Sequence, residues 1–190
     1  MELKKWSWNV NSDVIYGQSC NFEPKSKLAM FDMDGTIIET KRRKKRRRGK
    51  KGSNYPVDSD DWVFFNEEVV PKIQELYKNG YSIVIFTNQK GISLGFVAAE
   101  ELQQKIEKFV KELGVEAAAF LASHDNEYRK PGVGMFNLYI KIFYKNIEHI
   151  DLKQSFYVGD AAGRDKDHSN CDKLLAKNIG VRFFVPEQIF

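Results

Sequence analysis

Residues 31–36 read FDMDGT, with two carboxylates, Asp32 and Asp34, two positions apart. On an extended chain that spacing projects both to the same side. Gly35 permits a sharp exit from the strand, and the N–H groups that follow, beginning at Thr36, are expected to face an anion. Such a pair suits phosphoryl transfer. Asp32 can attack phosphorus if a cation offsets the repulsion between two anions, while Asp34 can protonate the departing oxygen and later deprotonate a water. Alone, the same residues also describe an ordinary Asp-Gly turn.

Three further pieces supply what that chemistry lacks. Thr87 and the Asn88 backbone, followed by Gln89, could donate hydrogen bonds to phosphoryl oxygens, although TNQ also reads as a helix or turn cap. Lys130 offers a point charge that could neutralise a phosphate and orient Asp32, where a lone Lys-Pro would be a solvated surface residue. Asp160, in YVGDAAG, is a suitable hard-oxygen ligand for Mg²⁺, or again a turn. Three or four crowded carboxylates cannot all stay charged without a divalent cation. His124, His149 and His168 show no triad spacing with Ser or Cys, and Cys171 reads as a packing residue.

These side chains need elements to hold them. LAMFD (28–32) and YSIVIFTN (81–88) read as buried strands, VEAAAFLAS (115–123) as a third strand made ambiguous by its alanines, and QSFYVGD (154–160) and VRFFV (181–185) as two more. Between them EEVVPKIQELYKNG (67–80), AAEELQQKIEKFVKELG (98–114), residues 132–145 and CDKLLAKNIG (171–180) carry helical periodicity and stop signals. Alternating strands and helices imply an α/β fold, a parallel sheet with helices on both faces. Ligands in such sheets gather at the carboxyl ends of the strands. Asp32, Thr87 and Asp160 all fall there. Residues 1–27, with Trp6, Trp8, Tyr16 and Phe22, are expected to form a small hairpin packed on the same domain.

The chain has 190 residues, enough to bury a substantial core as one domain. No window approaches the length of a membrane-spanning apolar run, and MELKKWSWNV lacks a secretory signal's apolar stretch. Two cysteines are too few for a disulfide scaffold, so a reducing, intracellular compartment is expected. The net charge of +4 is misleading. KRRKKRRRGKK (41–51) holds ten Lys/Arg, and taking those charges away leaves −6 on the remainder. An anionic partner is therefore expected at that place alone.

Together the motifs resemble the haloacid dehalogenase superfamily of phosphohydrolases, in the branch formed by the 3′-phosphatase domain of polynucleotide kinase/phosphatase. FDMDGT resembles the first motif, VIFTNQKGIS (84–93) the second, YRKPGVGMF (128–136) the third and YVGDAAGRDKDHSNCDKLLAKNIG (157–180) the fourth; SDDW (59–62) and FFVPEQIF also look like family features. The resemblance implies a Rossmann-like fold with a small hairpin flap and no large cap, residues 1–190 forming one phosphatase domain. Asp32 would be the nucleophile and Asp34 the acid and base. Thr87 and Lys130 would bind the phosphoryl group. Gly35, Thr36, Asn88, Gln89, Arg129 and Arg164 would line the substrate. Mg²⁺ would be held by Asp32, the Asp34 carbonyl and Asp160, with Asp172 near it, Asp165 and Asp167 competing for that last place.

The resemblance further implies a substrate of DNA 3′-phosphate ends presented as single-stranded termini, nicks or breaks, in strand-break repair; nuclear localisation is expected, no membrane partner is expected, and nothing in the sequence demands more than a monomer. The sequence carries no G-x-x-x-x-G-K-[ST] for the kinase that fuller members add. The basic insert, 41–53, replaces a short flap hairpin after the first motif; it could grip nucleic-acid phosphates or act as an import signal. Two other readings use the same residues: a small-molecule phosphatase acting on a sugar or histidinol phosphate, and a catalytically dead module that binds broken ends.

Overall fold

The computed structural model describes residues 5–11, 13–41, 58–144 and 146–190. The basic insert of 41–53 thus lies, but for Lys41, outside the described residues. Nine strands and four α-helices are found among them: β1 (Trp6–Val10), β2 (Val14–Ser19), β3 (Lys27–Phe31), β4 (Ile38–Glu39), β5 (Val63–Phe64), α1 (Val69–Lys78), β6 (Tyr81–Asn88), α2 (Ala99–Leu113), β7 (Ala117–Ala122), α3 (Gly134–Phe143), β8 (Phe156–Val158), α4 (Cys171–Ile179) and β9 (Arg182–Phe184). Seven strands form one sheet in the order β1-β2-β7-β6-β3-β8-β9, in which β7, β6, β3, β8 and β9 run parallel.

Alternation along β3 shows why the sheet is covered twice. Ala29 and Phe31 enter a core with Val69 and Ile73 of α1 and Leu102, Ile106 and Phe109 of α2. Leu28 and Met30 point the other way, towards Met135, Phe136 and Tyr139 of α3 and Leu175 and Ile179 of α4. The alanines of β7 favour helix intrinsically. Here they are all buried between β6 and β2, and pairing on both edges overrides propensity.

The amino-terminal hairpin is more integral than a packed appendage. β1 and β2 pair antiparallel, and β2 extends the central sheet antiparallel to β7, so the parallel sheet gains an antiparallel edge. That pairing satisfies the backbone groups β7 would otherwise leave unpaired. Trp8 lies flat on Gly17, where a Cβ would collide with its ring. Trp6 stacks on Trp8 at 5.1 Å, and Trp8 Nε1 donates to Glu107 of α2 at 2.7 Å.

From β3 the chain winds through β6 to β7 on one side, then returns to place β8 and β9 on the other. The direction reverses at β3, so a crevice opens beyond its carboxyl end. Next to it, β4 and β5 form a two-stranded flap, pairing Ile38 with Phe64 and Glu39 with Val63. Residues 58–62, which include SDDW, strap this flap to α2. Ser59 N donates to Glu101 at 2.7 Å, and Lys108 Nζ donates to Asp60 at 2.7 Å.

Candidate active site

Buried apolar strands deliver the polar groups to one place. β3 ends at Phe31, and Asp32 N donates to Val158 O of β8 at 2.8 Å, fixing the first carboxylate against the neighbouring strand. The turn that follows folds on itself. Gly35 takes a φ of 82° and donates its N–H to Ile38 O at 2.7 Å, and Thr36 N donates to Met33 O at 3.3 Å. Those two donors are therefore spent inside the turn rather than turned towards an anion. The Thr36 side chain is fully buried and its hydroxyl has no partner among the described residues, so it does not line a surface for substrate.

Lys130 is the centre of the site. Its ammonium donates to Asp32 Oδ1 at 2.5 Å, to Asp172 Oδ1 at 2.8 Å and to the Tyr157 hydroxyl at 3.1 Å, with Asp32, Lys130 and Asp172 all buried. Three N–H groups meet three acceptors. Burial presses the ammonium towards neutrality, but Asp172 and Asp32 outweigh it and hold Lys130 charged well above its ordinary range. Burial pushes the Asp32 carboxyl well above the usual carboxylate range, Asp172 and Asp160 adding to it while Lys130 pulls it back.

The loop carrying Lys130 is tied to β6. Asn88 Oδ1 accepts from Lys130 N at 2.9 Å, and Asn88 Nδ2 donates to Lys130 O at 3.1 Å. The side chain of Asn88 thus clamps the lysine's own backbone. Gly134 N donates to Glu127 O at 3.0 Å, and a Cβ on Gly132 or Gly134 would fall 2.5 Å from that oxygen. Only glycine lets the loop close so tightly. Arg129 Nε pairs with Asp125 at 2.9 Å, and its buried Nη1 has no partner among the described residues.

Asp34, two residues beyond Asp32, stands partly exposed. Gln89 Nε2 donates to Asp34 Oδ2 at 2.7 Å and to the buried Thr87 hydroxyl at 2.8 Å, joining the two ends of the crevice. Asp160 follows β8. Oxygens of Asp32, Asp160 and Asp172 lie within 4.8 Å of one another, three carboxylates against one ammonium. Two negative charges remain over, which a divalent cation would balance, so the donor set fits a hard metal ion.

The sequence left the second acid of the fourth motif open, and the structure separates the candidates. Asp172 joins the cluster, its Oδ2 accepting from Ala161 N at 3.0 Å. Asp167 instead caps its own loop, accepting from Ala162 N and Arg164 N at 3.0 Å. Asp165 is exposed and outside the cluster. Arg164 is drawn to Asp167, Glu187 and the Asp160 carbonyl, so its guanidinium braces this loop. Gly159 makes room for Asp172: a Cβ there would fall 2.5 Å from Asp172 Oδ2. Burial, first among the influences on it, pushes the Cys171 thiol up, which suits a packing residue rather than a nucleophile.

Tyr157 was not singled out from sequence. It is fully buried in β8, and its hydroxyl also lies 3.2 Å from both Phe86 O and Asp172 Oδ1. A tyrosine in the apolar run FYV looks like core; only its contact with Lys130 marks it.

The model described as polynucleotide kinase 3 phosphatase matches residues 27–190. The chain belongs to that family. Family members and relatives reach beyond the match. An uncharacterised 20.8 kDa protein of Autographa californica nuclear polyhedrosis virus is 37% identical, over 95% of each chain. The bifunctional polynucleotide phosphatase/kinase of Schizosaccharomyces pombe is 36% identical over 96% of this chain, and polynucleotide 3′-phosphatase ZDP of Arabidopsis thaliana 32% over 96%. The chain spans 42% and 27% of the lengths of those two. In fold it is similar to a Mesorhizobium loti protein described as a "putative had-like phosphatase", with a TM-score of 0.68 at 22% identity over 91% of this chain and 78% of that one. The chain is thus a phosphatase of that family on a haloacid dehalogenase-type fold.

Proposed function

We propose that this chain is a Mg²⁺-dependent polynucleotide 3′-phosphatase that clears 3′-phosphates from DNA ends through an aspartyl-phosphate. The observation that carries the reading is the buried Lys130 bridging Asp32 and Asp172, with Asp34 beside them unburdened by that ion pair. One carboxylate is held as a nucleophile and a second is left to move protons. The named activity of two relatives and of the family supports a polynucleotide as substrate.

In the first step an Asp32 oxygen attacks phosphorus as the bond to the 3′ oxygen breaks, and Asp34 gives its proton to that oxygen. In the second, Asp34 takes a proton from a water whose oxygen attacks phosphorus, freeing Asp32 and inorganic phosphate. Thr87 offers its hydroxyl to a phosphoryl oxygen, and Lys130 holds the nucleophile in place. Asp32, Asp160 and the Asp34 carbonyl would hold Mg²⁺, with Asp172 close by. When bound, the ion neutralises charge on the carboxylates and the phosphate so that the anions can approach.

A free 3′-hydroxyl is what a polymerase or ligase needs, so the reaction belongs to strand-break repair, and the chain acts in the nucleus as a monomer. Among the described residues no helix is long and apolar enough to cross a membrane. The test is phosphate release with Mg²⁺ from a 3′-phosphorylated DNA oligonucleotide beside its 5′-phosphorylated twin, with D32N as control. Release from the 3′ end alone, lost in D32N, is expected. No release from either oligonucleotide, with aryl phosphate still hydrolysed, would move the substrate to a small phosphate ester.

A further inference from the structure

The turn between β6 and α2 carries apolar side chains that the core does not use. Few large hydrophobics are exposed among the described residues, and two of them, Leu94 at 50% and Phe96 at 59%, lie in this one turn. Scattered singly they would mean little, but a pair in one short turn asks for a reason. The turn itself is well built. Ile92 and Val97 pack against the core, and Gly95 takes a φ of 71° that lets the chain double back. Ile92 N donates to Gln89 O at 3.1 Å, Leu94 N to Lys90 O at 3.2 Å and Phe96 N to Gly91 O at 2.9 Å. Phe96 lines a cavity of about 80 Å³ with Val97, Asp58 and Leu102 of α2, so it is seated on the domain while more than half of its surface stays exposed.

This turn begins at the reacting centre. Gln89, which donates to Asp34 at 2.7 Å and to Thr87 at 2.8 Å, is the residue before Lys90. Lys90 pairs with Asp125, and Asp125 also accepts from Arg129 Nε at 2.9 Å. Two cations therefore share one carboxylate, and one positive charge is left over next to the loop that carries Lys130. An exposed aromatic ring and a surplus cation, a few residues along the chain from groups suited to phosphate, make the combination that holds single-stranded nucleic acid: the ring takes a base and the charge favours the backbone. A small phosphate ester has no second unit to reach such a ring. We propose that Phe96, with Leu94 in the same turn, is a stacking platform for a nucleobase close to the 3′ end of a single-stranded terminus. The inference rests on the function proposed above and adds a subsite to it. Every base has a π-face, so the platform grips the strand without reading its sequence.

The experiment compares kcat and KM on a 3′-phosphorylated single-stranded oligonucleotide with those on p-nitrophenyl phosphate for wild type, F96A, F96L and F96W, alongside their melting temperatures. In F96A the oligonucleotide KM should rise about five- to a hundredfold relative to the aryl substrate, the range that losing one stacked base gives. F96W should restore it, whereas F96L, apolar but without a π-face, should not. An abasic residue walked through the last three positions of the strand should cost wild type a similar factor at one of them, and cost F96A little more there. An unchanged KM ratio in F96A overturns the proposal, as does rescue by F96L equal to that by F96W. An equal loss on both substrates with a lowered Tm also overturns it and makes Phe96 a packing residue. If wild type leaves the oligonucleotide unreacted, the substrate reading fails separately, and fluorescence anisotropy with a labelled single-stranded oligonucleotide carries the test. Weaker binding by F96A then supports the platform; equal binding by both proteins, or none by either, overturns it.

Discussion

Replacing Tyr157 with phenylalanine removes one oxygen and keeps the ring that fills the core. The hydroxyl accepts one of the three N–H groups of Lys130 at 3.1 Å, the other two going to Asp32 and Asp172 at 2.5 and 2.8 Å. Its own proton goes to Phe86 O or Asp172, both 3.2 Å away. Y157F leaves a buried charged donor short of an acceptor, at a cost of about 1–3 kcal/mol. For a chain of this size, about 2 kcal/mol lowers Tm by roughly 4–8 °C. If the freed ammonium tilts away from Asp32, the same energy is lost from the transition state, and kcat falls about ten- to a hundredfold, at 1.4 kcal/mol per tenfold. KM should change little, because the hydroxyl is buried behind the lysine and does not reach substrate. Thermal melts and steady-state kinetics on the 3′-phosphorylated oligonucleotide measure both effects. A Y157F enzyme with wild-type Tm and kcat would refute the reasoning that Lys130 needs all three acceptors.

Other perturbations test the neighbouring contacts. Lys130→Met strands Asp32 and Asp172 together without their cation, costing about 3–5 kcal/mol in denaturant unfolding; added Mg²⁺ should recover part of that loss, and an identical loss with and without Mg²⁺ would contradict a shared metal cluster. Gly159→Ala forces Asp172 off the Ala161 amide, so kcat should drop by about a hundredfold with a Tm loss of several degrees; an active, stable variant would show that Asp172 can shift freely. Because burial, with Asp172 and Asp160, raises the Asp32 pKa when no cation is bound, a metal must displace that proton. Its affinity should therefore weaken as pH falls, the proton competing with the metal for Asp32, in calorimetry repeated over a series of pH values; a flat profile in wild type would count against Asp32 as a ligand.

The chemistry-bearing groups were legible because their types are unusual at the ends of apolar strands. Asp32, Thr87 and Asp160 each follow a buried run, and no packing argument asks for polar groups there. Lys130 was legible only in combination, since a lone Lys-Pro looks solvated. What stayed hidden were residues whose role depends on contacts far along the chain. Tyr157 meets Lys130 across 27 positions, and Asn88, named from sequence for its backbone, clamps the lysine with its side chain across 42. The two-residue strands β4 and β5 are too short for any periodicity. The tightness of the turn at Gly35 and Thr36 depends on Ile38 O and Met33 O accepting their N–H groups, a closure that residue types alone do not specify.

The twin bonds between Asn88 and the Lys130 backbone make one rigid bracket out of two distant stretches of chain. Thr87 and Lys130, which would meet a phosphoryl group from different directions, inherit a spacing set by main chain and a short amide rather than by two long side chains. The flap and the loop between Gln89 and Ala98 lie outside that bracket. They can lengthen, gain charge or change shape while the reacting centre keeps its dimensions. Breaking the bracket with Asn88→Ala should thus loosen catalysis towards every phosphate ester alike, whereas changes in the flap should re-rank substrates.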